Sequence, residues 1–184
     1  MRIENYVGLA LAALCFAACQ SDTYYIKGEA QGLADGTVVY LAEAEGTQRV
    51  LDSLVVSDGR FSAEGAATDD APLFCKLYPK GHADGGLLFF LVTGNIYAEL
   101  SAETGASRVS GSKINNQWQA LNDTVGKYDA RLRELFSADS LAPRNVYAET
   151  ARIYSTLSRR ISETAQRNSD NALGRFISSH YSPK

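Results

Sequence analysis

The sequence predicts an α+β chain: an antiparallel β-sandwich or small barrel over residues 23–110, followed by a helical hairpin segment over 111–184. Between Thr23 and Ser110, short segments alternate apolar and polar residues and are punctuated by Gly, Asp and Asn, the mark of antiparallel strands. From Ser112 onward the apolar residues recur at intervals of three and four, the period of a helix. At 184 residues, 45% of them hydrophobic, the chain is long enough to bury one core and carry an appendage.

Taken in order, the first strand puts Tyr24 and Ile26 on one face and Tyr25, Lys27 and Glu29 on the other. Thr37 to Ala42 forms a second strand after the Asp35-Gly36 turn. Val50 to Val56 and Arg60 to Glu64 flank Ser57-Asp58-Gly59, where Asp-Gly accepts the positive φ angles of a tight turn, so these two segments read as a hairpin. Within it Phe61 and Ala63 face inward and Ser62 and Glu64 face water. Further strands are expected at Leu73 to Tyr78, Leu87 to Val92, Ile96 to Leu100 and Ser107 to Val109, with Thr93-Gly94-Asn95 joining the middle pair. The run Leu87-Leu88-Phe89-Phe90-Leu91-Val92 is too continuous for a half-wet strand; it reads as a central strand covered on both faces, with the Trp118 helix as one cover.

In the second part Ile114, Trp118, Leu121, Val125, Tyr128, Leu132 and Leu135 line one helical stripe, with Ser112 as N-cap and a stop near Ser137-Ala138-Asp139. The Glu or Gln of a capping box is missing, because position 115 is Asn. A second helix is expected from Pro143 or Asn145 to Arg167, with Val146, Ile153, Tyr154, Leu157 and Ile161 inward. A short third spans Ala172 to His180. Core packing explains both stripes better than a cofactor site does.

The first 18 residues carry a different signal. Arg2 is followed by an apolar run from Val7 to Phe16 and by Ala17-Ala18, the order of a secretory signal peptide. Cys19 directly after the two alanines matches the cleavage and acylation site of a bacterial lipoprotein. Glu4 dilutes the basic start, and Phe16 stands where an aliphatic residue is usual. A plain signal peptide cut near Ala18, or a short buried helix, are the competing readings. The run is shorter than the roughly twenty apolar residues of a membrane span. On the lipoprotein reading residues 1–18 are removed, Cys19 is the lipid attachment residue, and 19–22 form a polar tether. Resemblance to bacterial lipoproteins then implies a diacylglycerol on the Cys19 sulfur, often with a further acyl chain such as palmitate on its amine. Two or more chains anchor stably where one does not. The expected location is the cell envelope, at the outer membrane, with periplasmic and surface exposure both open.

The formal charge of −3 comes without a basic stripe, which argues against a nucleic-acid partner. Once Cys15 leaves and Cys19 is acylated, Cys75 stands alone and forms no internal disulfide. Its apolar neighbours make it a small strand hydrophobe. His82 and His180 are far apart and have no ligand cluster, so no metal is expected. Gly81-His82-Ala83-Asp84-Gly85-Gly86 lacks the Gly-Lys-Ser/Thr ending of a phosphate loop and reads as a turn, and Ser110-Gly111-Ser112-Lys113 reads as helix initiation. No Gly-x-Ser-x-Gly elbow is present. Glu43 with Glu45, and Asp69 with Asp70, read as solvated loop acids. No catalytic residue and no cofactor are therefore expected.

A resemblance adds to this reading. Tyr25-Ile26-Lys27-Gly28-Glu29, Gly32-Leu33-Ala34-Asp35-Gly36-Thr37-Val38-Val39-Tyr40-Leu41, Asp52 to Phe61, and Val109-Ser110-Gly111-Ser112-Lys113-Ile114-Asn115 resemble the N-terminal β-rich domain of unknown function of Bacteroidetes lipoproteins. That domain usually precedes a thioredoxin-like domain of the alkyl hydroperoxide reductase and thiol-specific antioxidant type. Residues 168–177 are similar to the linker helices that lead into the redox domain. This chain departs from the pattern by ending at Lys184 without a CxxC pair, and thiol-disulfide exchange needs both thiols. The expectation is a lipid-anchored, non-catalytic binding or interaction module, with the membrane and an envelope protein as partners. The alternative is the front portion of a tethered thiol-disulfide oxidoreductase whose redox domain is missing or separately encoded.

Overall fold

The computed structural model of the chain describes residues 22–137 and 143–181. Eight strands come first: β1 (Thr23–Gln31), β2 (Val38–Glu43), β3 (Val50–Val55), β4 (Arg60–Ala66), β5 (Leu73–Pro79), β6 (Leu87–Leu91), β7 (Gly94–Ser101) and β8 (Arg108–Ser110). Three helices follow: α1 (Lys113–Ser137), α2 (Pro143–Arg167) and α3 (Ala172–Tyr181). The strands form two four-stranded sheets, ordered β4-β1-β7-β8 and β3-β2-β5-β6. The result is an open sandwich, without barrel closure. All pairings are antiparallel except β1 with β7, which run parallel.

Strand alternation builds the core. On β1, Tyr24, Ile26 and Ala30 are buried while Tyr25, Lys27 and Glu29 are exposed. Val39, Leu41, Cys75, Leu77, Phe89, Ile96 and Leu100 complete the layer between the sheets. Gly28 is needed here because a Cβ at that position would fall inside the Phe61 ring packed over it. The Asp58-Gly59 turn has the positive φ at both residues (51° and 68°) that a two-residue turn requires.

The strands on either side of that turn do not pair as the expected hairpin. β3 pairs with β2 and β4 with β1, and only an isolated bridge, Ser57 to Arg60, joins them at the turn. The turn thus hands the chain from one sheet to the other. Thr93 does the same between β6 and β7. The turn chemistry is local, whereas the choice of partner is set by the longer ladders that β3 makes with β2 and β4 with β1.

Strand β6 is covered at Leu87, Phe89, Phe90 and Leu91 but leaves Leu88 37% exposed, and it lies at an edge, not at the centre. Its free backbone groups are met by side chains of α1. Asn115, fully buried, accepts from the Phe90 amide at 2.8 Å and donates to the Phe90 carbonyl at 2.9 Å. Trp118 Nε1 donates to the Leu88 carbonyl at 2.8 Å. On the neighbouring edge Gln119 Oε1 accepts from the Val109 amide of β8 at 2.9 Å, and Arg108 pairs with Asp123 of α1 at 2.9 Å. One helix therefore closes one side of the sandwich by substituting side-chain amides for a missing strand.

Ser112 caps α1 through the Asn115 amide at 3.2 Å, as the sequence predicts. On the outer face of β5 and β6, Phe74, Phe90, Trp118 and Phe176 pack as one aromatic cluster, with Phe74 to Phe176 centroids at 4.3 Å and Phe74 to Trp118 at 5.3 Å. That cluster docks α1 and α3 on the second sheet. In α2 Ile153 is buried and Val146, Leu157 and Ile161 are half-buried. Tyr154, expected inward, is 58% exposed. By helical bearing it lies about 20° from Ile161, seven residues on, so its exposure reflects what lies opposite that part of α2 and not its spacing. Asn171 caps α3 through the amides of Leu173 and Gly174. Among the described residues no helix is long and apolar enough to cross a membrane.

Candidate functional site

Of the residues singled out in the sequence, Cys19 and the rest of residues 1–21 lie outside the described residues. Cys75 sits fully buried on the inner face of β5. Burial, and secondarily the negative charge of Glu43, push its thiol up from its ordinary value near 9 to about 12. A thiol held protonated is neither a nucleophile nor a metal ligand. His82 is exposed in the β5–β6 connection, and His180 lies in the last turn of α3, stacked on Phe176 at 4.2 Å with Nε2 2.9 Å from Glu45 Oε1. Among the described residues no group of three His, Cys, Asp or Glu could hold a metal.

Three of the four paired acids have structural partners. Glu43 binds Arg49 at 2.7 Å and Glu45 meets His180. Asp69 is more than a solvated charge: it accepts from the Thr93 amide at 2.9 Å and from the Thr93 hydroxyl at 2.8 Å, fixing the crossover from β6 to β7. Gly111 takes φ 103° ahead of the Ser112 cap, in keeping with helix initiation at Ser110-Gly111-Ser112-Lys113.

The helices cover part of the second sheet and plug the β6 and β8 edges. The outer face of the first sheet keeps its side chains in water. Register places them in rows across the strands. One row runs Ser62, Lys27, Tyr97 and Ser110, and the next runs Arg60, Glu29, Glu99 and Arg108. Lys27 Nζ lies 5.8 Å from the Tyr97 ring centroid, and Tyr97 is 46% exposed. Between these rows lies an open cavity of about 830 Å³, floored by the backbone of Gly28 and Ala98 and walled by Lys27, Tyr97, Glu29, Glu99 and Arg60, with Val55 on its flank. Glu29 and Glu99 stand directly opposite each other on parallel strands. Like charges so placed are destabilising. Arg108, the cross-strand neighbour of Glu99, is drawn away by Asp123. Among the described residues Lys27, Glu29, Arg60 and Glu99 make no ion pair.

Residues 24–118, just over half the chain, match the domain of unknown function DUF4369. The chain belongs to this family. The DUF4369 match starts on β1, spans both sheets and reaches Trp118 in α1, so it takes in the residues that plug the β6 edge. No curated protein is significantly similar to the chain.

The alternation of Tyr25, Lys27 and Glu29 already marks one wet face in the sequence. The cavity itself escapes sequence reasoning, because it needs the parallel pairing of β1 with β7 to bring Tyr97 and Glu99 alongside. The available signal is the matching alternation of Asn95, Tyr97 and Glu99 with buried Ile96, Ala98 and Leu100.

Proposed function

We propose that this DUF4369 protein is a non-catalytic binding module of the cell envelope, anchored by acyl chains on Cys19, and that it binds through the outer face of the first sheet. The observation that carries the binding reading is the Glu29–Glu99 juxtaposition, flanked by Arg60, beside an exposed Tyr97 in the 830 Å³ cavity. Local conflicts of this kind are retained where function needs them, and an open concavity with convergent polar groups is the default ligand site. The anchoring reading rests on Val7 to Cys19 alone and places the protein at the outer membrane. Cys19→Ala shifts the protein from the detergent-extracted membrane fraction to the soluble one; unchanged partitioning refutes the anchor.

A second reading, the front portion of a tethered thiol-disulfide oxidoreductase, is favoured by the likeness of residues 168–177 to linker helices. The buried Cys75 thiol cannot serve that chemistry, so the activity would come from a thioredoxin-like domain outside the described residues. An open frame with CxxC directly downstream of the gene supports this reading, and unrelated sequence there removes it.

A further inference from the structure

We infer that the open face of the first sheet takes a neutral, polyhydroxylated ligand, an oligosaccharide stretch laid across β4, β1 and β7; the inference rests on the binding-module reading and names its ligand class. Charge decides against the polyanionic classes and against a bare cation. The face carries Lys27, Arg60 and Arg108 against Glu29, Glu64 and Glu99, all pointing outward. With Arg108 held by Asp123, two cations interleave with three carboxylates, so the face carries at most a slight negative charge and offers no attracting field to a nucleic acid, an anionic polymer or an acidic membrane. A lone cation is met by Lys27 and Arg60 as well as by the two glutamates.

What the face does offer is a set of donors and acceptors a few ångströms apart around an exposed ring. Strands lie roughly 4.8 Å apart, and successive side chains on one face roughly 6.7 Å apart, so neighbouring positions span a pyranose ring. Carboxylates accept from adjacent hydroxyls, the Lys27 and Arg60 groups donate to ring and hydroxyl oxygens, and both kinds of bond are charge-assisted. Tyr97 presents an apolar ring face with a polar tip, which suits the axial C–H face of a sugar once Lys27 swings aside. The open cavity of about 830 Å³ falls within the usual range for small-ligand sites, roughly 300–1,000 Å³. Its flat floor of extended backbone admits a chain that continues at both ends. Tyr25, 40% exposed and two residues along β1 from Lys27, extends the platform.

Affinity electrophoresis of the full chain in detergent tests this, with native gels containing barley β-glucan, dextran, galactomannan or arabinoxylan, and a heparin gel as the anionic arm. Retardation by at least one neutral polysaccharide is expected, weakened about tenfold by Tyr97→Ala and also by Glu99→Gln, with unchanged melting temperatures. Tyr97 is exposed, so its replacement leaves the core intact. Retardation in heparin alone, lost in Tyr97→Ala, overturns the ligand class while keeping the site. Retardation in a neutral gel that both variants retain overturns the site. Migration unaffected in every gel overturns the oligosaccharide inference, and peptide-array binding that Tyr97→Ala abolishes would then show the binding-module reading surviving it.

Discussion

Replacing Asn115 by Ala removes a plug at the edge of a sheet. The Asn115 side chain makes both backbone bonds that a neighbouring strand would otherwise make to Phe90, at 2.8 and 2.9 Å, and it is fully buried. Ala keeps the helix, being its best former, but leaves the Phe90 amide and carbonyl without partners. Phe90 is 2% exposed and lies beneath Trp118 and Phe176, so water does not replace the lost groups. Each orphaned buried group costs about 1–3 kcal/mol, and the variant should lose about 2–6 kcal/mol. Urea melts followed by circular dichroism give the equilibrium change, and hydrogen exchange of the Phe90 amide should accelerate with it. Asn115→Asp is the informative companion: it keeps an acceptor toward the Phe90 amide but opposes a carboxylate to the Phe90 carbonyl. A loss below about 1 kcal/mol for the Ala variant, with Phe90 exchange unchanged, would show that the edge is satisfied in another way.

Two more outcomes follow from the same packing. Trp118→Ala empties the centre of the aromatic cluster and costs about 3–5 kcal/mol in urea melts, whereas Trp118→Phe keeps most of the packing and loses the bond to the Leu88 carbonyl; a loss under about half a kcal/mol for the Ala variant would mean that the helices do not lean on the sheet. Cys75 should resist a thiol reagent in the folded protein at pH 8 and react fully in urea. Its raised thiol pKa means that the unfolded chain releases the proton first, so stability holds below about pH 9 and falls as pH rises toward 12; Tyr24, its hydroxyl also pushed up by burial, adds to that fall, so alkaline melts of Cys75→Ala should show a shallower slope, and an identical slope in both proteins would refute the assignment.

Much of the fold was legible in local pattern. The outward and inward faces of β1 and the extents of α2 and α3 follow from period and caps, since these depend on residues a few positions apart. Sheet membership was not legible. Asp58-Gly59 dictates a tight turn but does not dictate that the strands it joins lie in one sheet. Continuous apolar sequence in β6 signals burial on both faces; a helix and a neighbouring sheet can supply that as well as two flanking strands can. The Asn at position 115, which fails as a capping-box partner, is the residue that makes β6 tolerable at an edge, and its role depends on a contact with Phe90. Tyr154 shows the converse error, an aromatic at stripe spacing from Leu157 and Ile161 that stays exposed, because spacing alone does not say what lies opposite. Of the candidate face, half was visible as the polar side of β1; the remainder depends on a parallel pairing that no short-range signal specifies.

That pairing carries a cost in time. The first strand made, β1, lies inside its sheet, and Tyr24 must wait for Gly94 before its second neighbour exists. Contacts so distant along the chain form slowly. A polypeptide threading out from its N-terminus can assemble β2, β3, β5 and β6 while β1 still lacks one flank. The surface that holds Glu29 against Glu99 comes into being only at the end, so a chain cut short before β7 has nothing with which to grip.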